Sequence, residues 1–124
     1  MMPQPAGPVR RMKTYTGATG YVYQYYFVGK RPASPPDQGA VEFIFDITAD
    51  RKTTFSSSVF LKFEALEAWS AEHGRPLTDT EQYAAAKMRL LRGFDEIEGM
   101  REHGRRLIID AGNISDLLDP LGLE

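Results

Sequence analysis

The sequence contains no cysteine among its 124 residues. That absence excludes disulfide bridges, zinc sites built on thiolates and a cysteine nucleophile. Only two histidines are present, His73 and His103, and neither belongs to the zinc-binding helix motif H-E-x-x-H. We therefore assign no catalytic residue, no metal ligand and no cofactor; the sequence leaves open whether the protein is an enzyme and favours a non-enzymatic role.

Long hydrophobic runs are also missing. Nowhere do eighteen apolar residues follow one another, and the N-terminal stretch lacks the apolar core of a secretory signal peptide. We expect no contact with a membrane and a cytoplasmic location. The formal net charge of −2 gives no general attraction to nucleic acid or to an anionic surface.

Apolar residues are nevertheless abundant, at 42% of the chain, and include seven Phe and six Tyr. A chain of this size and composition can bury one hydrophobic core. We expect residues 14–124 to form a single domain. Residues 1–13 are rich in proline and glycine and end in Arg10, Arg11 and Lys13, so we expect a flexible basic arm there.

Residues 41–61 show the clearest strand pattern. Val41, Phe43, Phe45 and Ile47 alternate with mostly polar residues, which is typical of a strand with one buried face. A short polar link at 49–52 precedes a second β-rich run, so the stretch predicts an antiparallel hairpin. Upstream, the aromatic run at 21–28 predicts another strand, since aromatic and β-branched residues favour sheets.

Helical spacing begins after this hairpin. The pattern predicts one helix over about residues 61–73 and a second that starts after Thr78, where Thr78 and Glu81 have the spacing of a capping box. The apolar run at 107–109 predicts a last strand. The resulting prediction is an α+β fold with a three- to four-stranded antiparallel sheet covered by two helices, in the order β-β-β-α-α-β.

The aromatic run also supplies the candidate binding residues. Alternation places four of its rings on one face, and two cations follow shortly afterwards in the chain. Exposed rings can stack on bases while cations meet phosphates. The candidate binding residues are Tyr21, Tyr23, Tyr25, Phe27, Lys30 and Arg31.

Three functions remain open from the sequence. The leading hypothesis is a binding or regulatory module that acts through protein–protein contacts, including self-association as a homodimer, because the sheet has apolar residues on both faces and only two helices to cover it. One alternative is a protein that binds single-stranded nucleic acid through the aromatic strand and the basic arm. The other is a small-molecule enzyme with tyrosine and histidine acid–base groups.

Overall fold

A computed structural model describes residues 11–123. These residues form five strands and four α-helices, followed by a 3-10 helix at Asp119–Leu121. The strands are β1 (Lys13–Thr16), β2 (Val22–Pro32), β3 (Ala40–Thr48), β4 (Phe55–Lys62) and β5 (Arg106–Ile109). The α-helices are α1 (Phe63–His73), α2 (Asp79–Glu96), α3 (Met100–His103) and α4 (Ile114–Leu118). The α+β class predicted from the sequence is confirmed.

The strands make one mixed sheet in the order β1-β2-β3-β4-β5. The first four are antiparallel to their neighbours, whereas β5 runs parallel to β4. The predicted sheet of three or four antiparallel strands and the predicted order are therefore wrong. The sequence pattern did not reveal β1, a separate strand before the turn at 17–20. The helices after β4 carry the chain back to the end of the sheet where β4 starts, so β5 runs in the same direction as β4.

The predicted N-terminal arm lies mostly outside the described residues. Of its thirteen positions, residues 1–10 cannot be described, and Lys13 is already the first residue of β1. A single domain over residues 14–124 stays a prediction.

One side of the sheet packs against the helices and forms the core. Alternate residues of each strand point to this side, and the most deeply buried include Phe43, Phe45 and Leu61, each at most 1% exposed. Trp69 of α1 and Leu90 of α2 complete the same cluster. We call this side of the sheet the helix face, and the opposite side the open face.

The helical spacing after the hairpin also predicts a buried Phe63, and the apolar run at 107–109 a buried Ile108, but the structure places both elsewhere. Phe63 is 47% exposed, because α1 begins at this residue and turns Ala65 and Trp69 inward instead. Ile108 is half-buried on the open face, while its neighbours Leu107 and Ile109 point to the helices. Small residues missed from the sequence, Ala85 and Ala86, are fully buried and let α2 approach the sheet closely.

The helix ends follow local sequence signals. Thr78 accepts a hydrogen bond from the backbone N–H of Glu81, whose carboxylate accepts one from the N–H of Thr78, so the capping box is confirmed. Gly74 ends α1 with a left-handed φ of 75°. No helix in the described part of the chain is long and apolar enough to cross a membrane.

The turn between β1 and β2 docks onto the end of α2. Tyr15 donates its hydroxyl to the Asp95 carboxylate at 2.9 and 3.0 Å, and the N–H of Ala18 donates to the same carboxylate at 3.0 Å. Gly17 is buried against the helix, and a Cβ at this position would lie 2.4 Å from the Phe94 carbonyl oxygen. Only glycine permits this approach of the two backbones.

Candidate functional site

The aromatic strand proposed for binding turns two of its tyrosines into the core. Tyr23 and Tyr25 are 3% and 4% exposed. The ring of Tyr23 stacks on Phe94 of α2, with ring centres 4.3 Å apart and an interplanar angle of 8°. In this arrangement neither ring offers a free face to a nucleic-acid base.

The other two aromatic candidates lie closer to the surface. Tyr21 directly precedes β2, is 54% exposed and lines a pocket of about 220 Å³ together with Asp50 and Arg101. Phe27 is half-buried, and its ring meets Tyr83 of α2 edge-on at 5.0 Å. Tyr21 alone of the four rings is exposed enough to stack on a ligand.

A β-bulge precedes the two candidate cations and decides which face of the sheet each one occupies. The pairing of β2 with β3 shifts between Phe27 and Gly29, so Val28 is an extra residue and the facing of the strand reverses beyond it. Lys30 therefore lies on the helix face, with its ammonium 5.9 Å from the centre of the Phe43 ring. Arg31 lies on the open face. The glycine inside the strand pattern is the sequence signal that was missed.

Both cations have acidic partners. The Lys30 ammonium lies 3.8 Å from the Asp79 carboxylate, and Arg31 Nε donates to Glu42 Oε1 at 2.9 Å. The six candidate residues thus do not share one surface, since the structure divides them between the core, the helix face and the open face. A binding role for each of them stays a prediction.

The open face carries ordered polar groups around an apolar centre. Ile44 is half-buried at this centre, and its partner across the strands is Gly29. A Cβ on Gly29 would have nothing within 4 Å, which leaves open space beside Ile44. The helices described above pack on the opposite side of the sheet. Part of the Ile44 side chain therefore stays exposed, where a binding partner can contact it.

The carboxylates of Glu42 and Asp46 flank Ile44, and each accepts hydrogen bonds from neighbouring side chains. Glu42 accepts hydrogen bonds from Arg31 and from the Ser58 hydroxyl, the latter at 2.5 Å. Burial would raise the pKa of Glu42, but these two hydrogen bonds outweigh it and hold the pKa below its ordinary value. The second carboxylate, Asp46, accepts the hydroxyls of Tyr26 and Ser56 at 3.0 and 2.8 Å.

A pocket opens where the loop between β2 and β3 overhangs the open face. Its volume is about 510 Å³, within the range of ligand pockets. Phe60 and Ile108 give it an apolar side, while Arg106, Asp37 and Lys62 are among its charged residues. We call it the loop pocket.

Arg106 links the loop to the sheet at this pocket. Its guanidinium pairs with Asp37 and lies 5.3 Å from the centre of the Phe60 ring. The hydrogen bond from Arg106 is the main cause that lowers the pKa of Asp37. The ion pair thus holds the loop above the apolar side of the pocket.

The histidines do not form a catalytic arrangement with these pockets. His73 stacks on Trp69 with ring centres 3.9 Å apart, and its Nδ1 lies 2.9 Å from the Trp69 carbonyl oxygen. His103 is exposed at the end of α3. Within residues 11–123, no group of three or more potential ligands among His, Asp and Glu is placed to hold a metal ion.

Comparison of this chain with protein-family models, with curated proteins and with solved structures finds no match. The described residues form a sheet face opposite the helices, with the loop pocket at one end.

Proposed function

We propose that this protein is a non-catalytic binding module whose open face docks another protein, and that the first partner to test is a second copy of the chain. The observation that carries the proposal is that Ile44 of β3 and Ile108 of β5 stay partly exposed on that face. Phe60 of β4 lies on the same face but is only 7% exposed, and Gly29 leaves open space beside Ile44. Exposed apolar side chains on one face are typical of interfaces.

The polar groups around this centre suit an interface rim. Interfaces combine an apolar middle with hydrogen-bonded polar residues at the edge. Here Glu42 and Asp46 are fixed by their neighbours, so little side-chain freedom remains to be lost on docking. Arg31 is held by one of these carboxylates while most of its side chain stays exposed.

A second copy fits the charge balance of the open face. The cations Arg31 and Arg106 each pair with an acid of the same chain, Glu42 and Asp37. Two such faces can meet without strong repulsion between like charges, because each brings its counter-charges with it. A symmetric pair would also place the same patch on both sides of the interface.

The test replaces Ile44 by lysine. Glu42 and Asp46 lie two residues away on the same face, so the new ammonium is tolerated by the folded monomer. We expect the wild-type protein to dimerise with rising concentration in sedimentation velocity, and Ile44→Lys to remain monomeric. The matched control is Leu121→Lys at another exposed apolar residue, 41% exposed, which should dimerise like the wild type.

A wild-type protein that stays monomeric excludes the second copy as partner. In that event a photoreactive phenylalanine analogue at position 44, compared with the same analogue at position 121, tests for another protein in cells. A discrete crosslinked product formed only from position 44 supports the proposal. Absence of both the dimer and the crosslink overturns it.

A further inference from the structure

The loop pocket is built from four parts of the chain that meet at one end of the sheet. The loop at 33–39 forms one wall, β4 and β5 form the base, and the start of α1 borders the side. Backbone hydrogen bonds fix the loop, because the N–H of Ala33 donates to the Ala40 carbonyl at 3.0 Å and the N–H of Phe63 donates to the Gly39 carbonyl at 2.9 Å. The chain itself therefore holds the pocket in shape, which lowers the ordering cost of binding a ligand.

Four charged side chains line this pocket, and their charges cancel. The cations are Arg106 and Lys62, and the acids are Asp37 and Glu64. At the loop, Arg106 pairs with Asp37. At the start of α1, the Lys62 ammonium lies 3.9 Å from the Glu64 carboxylate. The pocket thus presents two charges of each sign, arranged in pairs.

Both pairs have capacity left for a ligand. Arg106 uses Nε and Nη2 for Asp37, which leaves the N–H groups of Nη1 without a hydrogen bond within residues 11–123. The pair of Lys62 and Glu64 is long and both side chains are exposed, so it contributes little to stability and rearranges at low cost. A ligand can therefore gain charge-assisted hydrogen bonds while Arg106 keeps its bond to Asp37.

An apolar surface lies beside these charges. Ile108 is half-buried and offers part of its side chain to the pocket. Phe60 is more deeply buried, with the Arg106 guanidinium 5.3 Å from the centre of its ring. Pro36 adds an apolar group from the loop. A ligand that fills the pocket therefore needs an apolar body next to its charged groups.

The balance of charge decides which kind of ligand fits. An anion alone would compete with Asp37 for Arg106, and a cation alone would compete with Arg106 for Asp37. In both cases one charge of the pocket would lose its partner, which opposes binding. A ligand that carries one charge of each sign instead gives a new partner to both.

We propose that the loop pocket binds a free α-amino acid with an apolar side chain. Its carboxylate meets Arg106 and Lys62, since guanidinium and ammonium groups both donate to carboxylate oxygens. Its ammonium donates to Asp37 and Glu64, and its side chain lies against Ile108. The inference concerns a small molecule and does not rest on the docking of another protein at the open face.

Titration of ¹⁵N-labelled protein with L-leucine, followed through the amide shifts in NMR spectra, tests the site. We expect saturable shifts at the backbone amides of Asp37, Gly39 and Arg106. L-Leucinamide lacks the carboxylate and N-acetyl-L-leucine lacks the ammonium, so each should bind about tenfold more weakly. The titrations are run at about pH 6, where the amine of L-leucinamide stays protonated. Glycine, which lacks the apolar body, should also bind more weakly than L-leucine.

Two exposed side chains separate the roles of the charges. Lys62→Gln should weaken L-leucine binding about fivefold and leave L-leucinamide unchanged, because L-leucinamide has no carboxylate to lose a partner. Glu64→Gln should weaken L-leucine about as much and leave N-acetyl-L-leucine unchanged, because that ligand has no ammonium. Lys52→Gln, which removes an exposed lysine from the β3–β4 turn, is the matched control and should bind every ligand like the wild type.

Several results would overturn the assignment. They are no saturable shift with L-leucine, shifts only at amides away from the loop pocket, or equal affinity for L-leucine and either of its neutralised derivatives. Variants at Lys62 and Glu64 that weaken all ligands alike would show a structural role only and would also overturn it. Glycine binding as tightly as L-leucine would overturn the role of the apolar surface. Ile44 does not line the pocket, so Ile44→Lys should still bind L-leucine, and the two proposals can fail separately.

Discussion

Replacing Gly17 by alanine tests how closely the β1–β2 turn packs on α2. The added methyl group would lie 2.4 Å from the Phe94 carbonyl oxygen and 3.0 Å from its carbon, both of them backbone atoms that cannot rotate away. The turn must shift, which costs about 1–3 kcal/mol for an overpacked site. A shift also strains the hydrogen bonds that Asp95 accepts from Tyr15 and Ala18, worth about 1 kcal/mol more.

We therefore expect Gly17→Ala to lower the free energy of unfolding by about 2–4 kcal/mol, measured by urea denaturation followed by circular dichroism. In thermal melts each kcal/mol corresponds to about 4 °C for a domain of this size. Gly29→Ala is the matched control, because its Cβ would meet nothing within 4 Å and the backbone is not left-handed there. Its stability should stay the same or rise by up to about 1 kcal/mol.

The reasoning fails if Gly17→Ala is as stable as the wild type, or if Gly29→Ala loses as much. The first result would mean that the turn does not pack on the helix as described, and the second that the loss is not specific to the close approach at Gly17. A fall in stability with an unchanged denaturant slope would show that the folded state, and not the compactness of the unfolded chain, has changed.

Two further predictions concern the start of α2. Thr78→Ala should lower the free energy of unfolding by about 1 kcal/mol in the same urea assay, because it removes the acceptor for the Glu81 N–H, whereas Thr80→Ala should have little effect; equal losses would contradict the capping role. The pKa of Glu81 is lowered from 4.5 to about 2, first by Arg75 and then by the Thr78 N–H. The stabilisation from this carboxylate is thus complete above pH 4.5 and is lost as the pH falls towards 2. Glu81→Gln should flatten stability against pH in that window, and an unchanged acid profile would refute the assignment.

Features set by neighbouring residues could be predicted from the sequence. The capping box depends only on Thr78 and on Glu81, three positions later in the chain, and it forms as predicted. The alternation of Phe43, Phe45 and Ile47 places all three in the core, since strand geometry alone decides which way they point. Gly74 ends α1 because the left-handed conformation there is costly for residues with a side chain.

Features set by distant partners could not be predicted in this way. The bulge at Val28 depends on how β2 meets β3, and it exchanges the faces of the sheet on which Lys30 and Arg31 lie. The sequence favours the core for the rings of the aromatic strand but leaves ligand binding open, and only the structure shows that Phe94 covers Tyr23.

The parallel pairing of β4 with β5 has a consequence for synthesis of the chain. Ser58 faces Arg106, so the two strands can join only after the helices between them have been made. Until then the outer edge of β4 carries unpaired backbone N–H and C=O groups, with which an extended segment of another chain can form hydrogen bonds. A chain that ends before Arg106 keeps this edge open, so β5 also protects β4 against pairing with a second chain.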